Sequence, residues 1–182
     1  MTANDLRPLL TAACDYEKTE QLKARFKILC QNRKPFFLIA SDIDEVFRWK
    51  LIGQYSRGAK LRRNNPPGVY EIVTRACFEL NLPDFEYEAR LRIGILSALQ
   101  GVGVPVASAL LALVDPTKYC VIDFRGWRAV FGVEKRTFTI TDYLGYLRRV
   151  RPLAEELGRS VQETDLAIWE FDKRRVDKAV FA

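Results

Sequence analysis

Residues 99–127, LQGVGVPVASALLALVDPTKYCVIDFRGW, decide how this chain folds. Gly101 and Gly103 sit between two apolar stretches of helical character. Glycine tolerates positive φ and close backbone approach, so the chain can reverse here within about one turn. Pro105 fits the first turn of the helix that follows. Ala107, Ser108, Ala109 and Ala112 are small enough for that helix to pack closely on its partner. Backbone N–H groups in such a turn gather at a helix N-terminus and suit a phosphate without any charged side chain. A purely structural helix–turn–helix explains the same glycines. Twenty residues beyond Gly103, Asp123 closes the short apolar run Val121-Ile122. The stretch YCVID has strand character, yet a lone strand has nothing to pair with.

Working outward, apolar residues recur at helical spacing almost throughout. The pattern predicts helices over 6–14, 17–30 and 35–51, the last with Pro35 in its first turn. Residues 52–68, IGQYSRGAKLRRNNPPG, read as an ordered surface loop. Helical patterns resume over 69–80, 84–99, 104–114, 124–131, 141–157 and 161–178. Thr164 and Asp165 are candidate caps for the last of these. Asp165, Glu170 and Asp172 are expected on its solvated face. The fold class is therefore all-α, and 182 residues make one domain able to bury its own core.

Composition excludes several chemistries. The chain has no histidine, which rules out Ser-His-Asp and Cys-His catalysis and argues against an ordinary zinc site. Acid–base work falls to Asp, Glu, Lys or Tyr. Cys14, Cys30, Cys77 and Cys120 form no CxxC pair and read as reduced core thiols. No apolar run approaches the roughly 20 residues that span a bilayer, and the N-terminus shows no signal-peptide core. A cytoplasmic protein without a membrane partner, and a monomer, are expected. The net charge of +6 is concentrated: residues 48–63 carry six basic side chains and no acidic one. The remainder is neutral, so this patch either suits a polyanion or is a solvated charged face.

The 99–127 stretch resembles the helix-hairpin-helix DNA glycosylases of base-excision repair. Their pattern is Leu-Pro-Gly-Val-Gly, a small-residue helix, a proline-containing turn, and apolar-apolar-Asp before another helix. The corresponding residues are Leu99-Gln100-Gly101-Val102-Gly103, Ala107 to Leu113, Asp115-Pro116 and Val121-Ile122-Asp123. The match covers about 35 residues, with the hairpin motif over about 86–114. It implies a glycosylase-like fold and a DNA partner, double-stranded with a damaged or modified base. It puts Asp123 at the catalytic aspartate, where a carboxylate can stabilise charge developing on deoxyribose and orient water. A helix dipole favours a negative group at that place, although Asp is equally a common N-cap.

Pro105 stands where bifunctional members carry a Schiff-base lysine, so lyase chemistry from the hairpin is excluded. No cysteine follows Cys120, so an iron–sulfur cluster held by C-terminal cysteines is not expected. No cofactor is expected beyond, at most, a monovalent cation held at the hairpin. Gly101, Val102 and Gly103 are the candidates for backbone contacts, and in the basic loop Arg57, Lys60, Arg62 and Arg63 are the candidates to grip phosphates. Base extrusion must be braced. Trp49 and Tyr55 are candidates to stack or wedge, and Asn64 and Asn65 to bond the orphaned base, though an idle turn has the same composition. Trp127 and Trp169 are expected in the core. The reading is a monofunctional DNA N-glycosylase. Its rivals are a non-catalytic DNA-recognition module and a scaffold domain with a basic face.

Overall fold

A computed structural model of the chain describes residues 1–11 and 17–180, the last four by backbone alone. Cys14 and the end of the helix expected over 6–14 lie outside the described residues. The helices are α1 (Ala3–Leu6), α2 (Glu17–Asn32), α3 (Ala40–Lys50), α4 (Ala59–Arg62), α5 (Val69–Glu79), α6 (Phe85–Leu96), α7 (Val104–Val114), α8 (Phe124–Phe131), α9 (Ile140–Leu157) and α10 (Val161–Val180). No strand occurs among the described residues, so the all-α expectation stands.

At the centre lies α7, whose residues from Val106 to Leu113 are all buried. A helix apolar on every side must be covered on every side. Here α2, α3, α6 and α9 supply the cover. The small residues anticipated in sequence, Ala107, Ser108, Ala109 and Ala112, are each 0% exposed.

The YCVID segment runs between α7 and α8 without regular secondary structure and joins no sheet. Its buried N–H groups need acceptors; for Val121 and Ile122 side chains supply them. Ile122 N–H donates to Ser108 Oγ at 3.1 Å, and Val121 N–H donates to Asp165 Oδ2 at 2.9 Å. Two helices thus fix the two residues that lead into Asp123.

Four sequence expectations shift. First, the chain enters an α-helix at Ala3 and leaves it at Leu6, then makes a 3-10 turn over Arg7–Leu9. Asp5 reaches back to cap Thr2 N–H, and Pro8 offers no N–H to carry an α-helix onward. Second, α3 starts at Ala40, not at Pro35. The Lys34–Pro35 peptide is cis, Leu38 N–H bonds Thr74 Oγ1, and Asp42 Oδ2 takes Ile39 N–H. Asp42 therefore sets the start. Third, the 52–68 loop contains a 3-10 turn, Tyr55–Gly58, that runs into α4.

Fourth, α10 is capped by Ser160, whose Oγ accepts from Glu163 N–H at 3.2 Å, and not by Thr164 or Asp165. Asp165, Glu170 and Asp172 are buried rather than solvated, at 5%, 7% and 0% exposure. Packing of α10 on both α8 and α9 leaves it little free face. Each buried carboxylate has partners. Arg128 grips Asp172 in a fork at 3.0 and 2.6 Å, and Arg174 holds Glu170 at 2.8 Å. Cys77 and Cys120 are buried thiols and Cys30 is half-buried; burial pushes Cys77 up to about 12.

Candidate functional site

Asp123 is the N-cap of α8, with extended backbone at φ −149° and ψ 179°. Its Oδ1 accepts from Arg125 N–H at 3.0 Å and Gly126 N–H at 2.9 Å. The cap uses one oxygen only. Oδ2 faces Lys50 Nζ at 3.4 Å, the two side chains being 21% and 11% exposed. Lys50 is the last residue of α3, 73 positions away in the chain.

Asp165 accepts the Tyr146 hydroxyl at 2.6 Å on Oδ1 and Val121 N–H on Oδ2. Burial raises its carboxyl to about 7 and the nearby Asp123 charge adds to this, while the Tyr146 and Val121 hydrogen bonds and Lys50 oppose it. Tyr146 is held well above its ordinary value by burial, then by Asp165. Its hydroxyl also presses on Gly126, where any added Cβ would collide with it. Thus α3, α8, α9 and α10 each contribute one group to a single cluster: Lys50, Asp123, Tyr146 and Asp165. Chemically this is a carboxylate with one oxygen capping a helix and the other paired with a lysine, beside a buried carboxyl raised to about 7.

The hairpin lies between α6 and α7. Gly101 adopts φ +87°, whereas Gly103 is extended at φ −90° and ψ 174°. A Cβ on Gly101 would also lie 2.8 Å from Arg62 Cγ. Among the described residues no acceptor takes the N–H groups of Gly101, Gly103 or Val104. Residues 97–103 and Leu61 line a shallow groove of about 330 Å³.

The basic segment folds onto this hairpin through Asn65. Gln100 N–H donates to Asn65 Oδ1 at 2.8 Å, and Asn65 Nδ2 donates to Gln100 O at 2.9 Å and to Tyr70 Oη at 3.0 Å. Asn65 is thereby a clamp with its amide engaged, while Asn64 beside it is exposed. Arg62 is half-buried, with its guanidinium on the rings of Phe47 and Tyr55 at 4.7 and 4.3 Å. It donates to Tyr55 O at 2.7 Å. Tyr55 is held from several sides: Arg48 stacks on its ring at 4.4 Å, and its hydroxyl donates to Asp44 at 2.5 Å. Trp49 turns the other way, bonding Thr19 Oγ1 at 3.1 Å and packing on the core. Arg57, Lys60 and Arg63 are exposed and carry no ion pair among the described residues. Trp127 and Trp169 are half-buried, Trp127 stacked on Phe131 at 4.1 Å.

Sequence reasoning passed over Lys50 and Asp165, although the signal was present. Ile43, Phe47 and Lys50 share one face of α3 at four- and three-residue steps, so the buried stripe ends in an amine. Val161, Asp165, Ile168 and Asp172 recur in the same way on α10. Two further grooves run elsewhere, about 560 Å³ beside Phe85, Arg148 and Arg151 and about 420 Å³ beside Tyr55 and Arg62. No group of three or more His, Cys, Asp or Glu among the described residues forms a metal-ligand set. No helix among the described residues is long and apolar enough to cross a membrane. The chain matches no protein-family profile, no curated protein and no solved structure.

Proposed function

We propose that the chain is a DNA N-glycosylase of the helix-hairpin-helix kind, hydrolysing the bond between deoxyribose and a flipped, damaged or modified base. One observation carries this reading: the N-cap of α8 consumes Asp123 Oδ1 and leaves Oδ2 turned to an amine. A carboxylate retained only for capping needs no such second partner. Held by two N–H groups, Asp123 keeps a fixed orientation, the preorganisation that stabilising a cationic sugar demands. Its Oδ2, the oxygen the cap does not use, opposes the positive charge that builds on deoxyribose as the base departs, and orients water for attack.

The remaining features fit DNA. The unpaired N–H groups of Gly101, Gly103 and Val104 suit one backbone phosphate. Arg57, Lys60 and Arg63 supply free positive charge on the segment that Asn65 clamps to that hairpin. Asn64 is exposed for the orphaned base. Tyr55, held by Arg48, Arg62 and Asp44, acts by supporting those arginines, and Trp49 by packing.

Asp123→Asn tests the proposal. Its side-chain oxygen can still cap α8, so the fold survives, but the charge at the free position is lost. On a panel of duplexes carrying oxidised, alkylated, deaminated and hypermodified bases, the wild type should release one class, and Asp123→Asn should release it at least about a hundredfold more slowly. Binding to the same duplex should persist. Tight binding to abasic DNA without release of any base by the wild type would instead identify a damage-recognition module.

A further inference from the structure

Three charged groups meet at the start of α8, and their balance bears on what Asp123 can do. Asp123 Oδ2 faces Lys50 at 3.4 Å, so carboxylate and ammonium cancel. A pair without net charge is a poor stabiliser of a cation. The third group is Asp165, buried on α10, whose ionisation the Asp123 charge opposes and the Lys50 charge favours. With Asp165 protonated the cluster is neutral; with Asp165 ionised it carries one net negative charge. Such charges count for more here than at a surface, because the interior screens them weakly.

Asp165 is also tied mechanically to Asp123. Its Oδ2 takes Val121 N–H at 2.9 Å, two residues before Asp123. Its Oδ1 takes the Tyr146 hydroxyl at 2.6 Å. That hydroxyl abuts Gly126, whose N–H holds Asp123 Oδ1 at 2.9 Å. Asp172, two turns further along α10, has guanidinium partners instead, Arg128 at 2.6 Å and Arg125 at 3.7 Å. Asp165 has its two donors and, among the described residues, no ion pair. Two other titratable groups feel its charge, Tyr143 of α9 and Cys120. Burial first, with Asp165 adding to it, holds both well above their ordinary values and so neutral. The first helix and the 3-10 turn after it also pack on α10, burying Ala3, Leu6 and Leu9 while Asp5 and Arg7 stay exposed.

We propose that Asp165 is a positioning residue for Asp123: it braces the backbone that carries Asp123 and, by gaining or losing its own proton, switches the cluster it forms with Lys50 and Asp123 between neutral and net negative. The neutral acid keeps both contacts by reversing one of them. Its O–H donates to Tyr146 Oη while the other oxygen still accepts from Val121 N–H, so the proton changes the charge without releasing the brace. Asparagine imitates this state, its amide N–H standing in for the acid O–H. The ionised form appears as pH rises through about 7. The consequence for catalysis rests on the glycosylase reading. A cationic deoxyribose is stabilised by the net negative cluster, so base release should rise through the same range.

The test titrates the full chain without DNA and follows its side-chain carboxyl carbons by nuclear magnetic resonance. In the wild type Asp165 should titrate near pH 7, and the Asp123 carboxyl carbon should shift in step with it. Asp165→Asn should abolish that step at Asp123. Tyr146→Phe removes a hydrogen bond that favours the ionised form, so both steps should move to higher pH. No response at Asp123, a step that survives Asp165→Asn, or a Tyr146→Phe step displaced downward overturns the proposal. If Asp165→Asn does not fold, the wild-type and Tyr146→Phe titrations decide. Base release is scored separately on the damaged-base duplexes across the same range. The wild-type rate should rise about tenfold, the factor that one pKa unit of interaction gives, and Asp165→Asn should stay at the low-pH rate. A rise that Asp165→Asn shares overturns the switch. A wild type that releases no base removes the glycosylase reading, and the carboxyl titration then decides the switch by itself.

Discussion

Asp123 and Asp165 are two carboxylates close enough to feel each other's charge, and their surroundings differ sharply. Asp123 sits part-exposed at a helix N-terminus with one oxygen on the cap and one on Lys50, while Asp165 is enclosed and spends both oxygens on Tyr146 and Val121. Burial first, then the Asp123 charge, raises Asp165 to about 7 from its ordinary 3.8. The folded chain therefore keeps a proton there over a range in which the unfolded chain has lost it. That contribution is full below the ordinary value and is lost as pH rises towards about 7. Asp42 is the opposite case. Despite burial, hydrogen bonds from Arg33, Ile39 and Arg25 hold it below the usual carboxylate range, so its contribution is lost as pH falls. Asp165→Asn, which keeps an acceptor but cannot titrate, should flatten the decline of the urea midpoint between pH 5.5 and 8. Parallel slopes for variant and wild type would show that Asp165 does not titrate in that range.

Elements are fixed here by what meets their ends. The hairpin needs one glycine, not two. Gly101 has φ +87° and a neighbour, Arg62 Cγ, that would lie 2.8 Å from any Cβ. Gly103 is extended, and its nearest contact to a Cβ would be an ordinary 3.8 Å from Pro105. Gly101→Ala should thus cost about 2 kcal/mol from the left-handed backbone alone. At this chain length that lowers Tm by about 4–8 °C. Gly103→Ala should leave Tm nearly unchanged. Calorimetry on the two variants measures both, and equal losses would contradict the assignment of the turn to Gly101. Gly126 is constrained from the tertiary side: the Tyr146 hydroxyl occupies the space a side chain would need, which lets α8 seat its first turn over the buried network.

On the scale of the whole molecule, charge is divided between structure and surface. Of the six basic residues in 48–63, Arg48 pairs with Asp44 at 2.8 Å, Lys50 with Asp123, and Arg62 lies on two aromatic rings and against Gly101. Arg57, Lys60 and Arg63 are exposed and form no ion pair among the described residues, so the proposed DNA contact falls to them. Reversing these three to Glu should weaken binding to any duplex, and flatten the dependence of log K on log salt by up to roughly 0.9 per lost phosphate contact. Filter binding across salt concentrations checks this, with circular dichroism to confirm the fold. Unchanged affinity would remove this segment from the DNA face. Reversal at Arg62 is uninformative because it would disrupt the packing of α4 on the hairpin.

The sequence by itself determined the helical class and the bounds of α7 and α8, since both rest on local signals: apolar periodicity, a proline in a first turn, and an Asp before an amphipathic run. It also located the hairpin and singled out Asp123. Side chains whose role depends on a partner far along the chain were decided only by the tertiary structure. Lys50 meets Asp123 across 73 residues, Asp165 meets Val121 across 44, and Asn65 meets Gln100 across 35. Asp165 and Asp172 look like solvated residues by type, because a carboxylate is costly to bury until a hydrogen-bond or guanidinium partner is supplied. Tyr146, Val121 and Arg128 supply those partners, and they come from other elements. Local periodicity fixes where a helix runs; the identity of the groups that neutralise its buried charges is a property of the packed molecule.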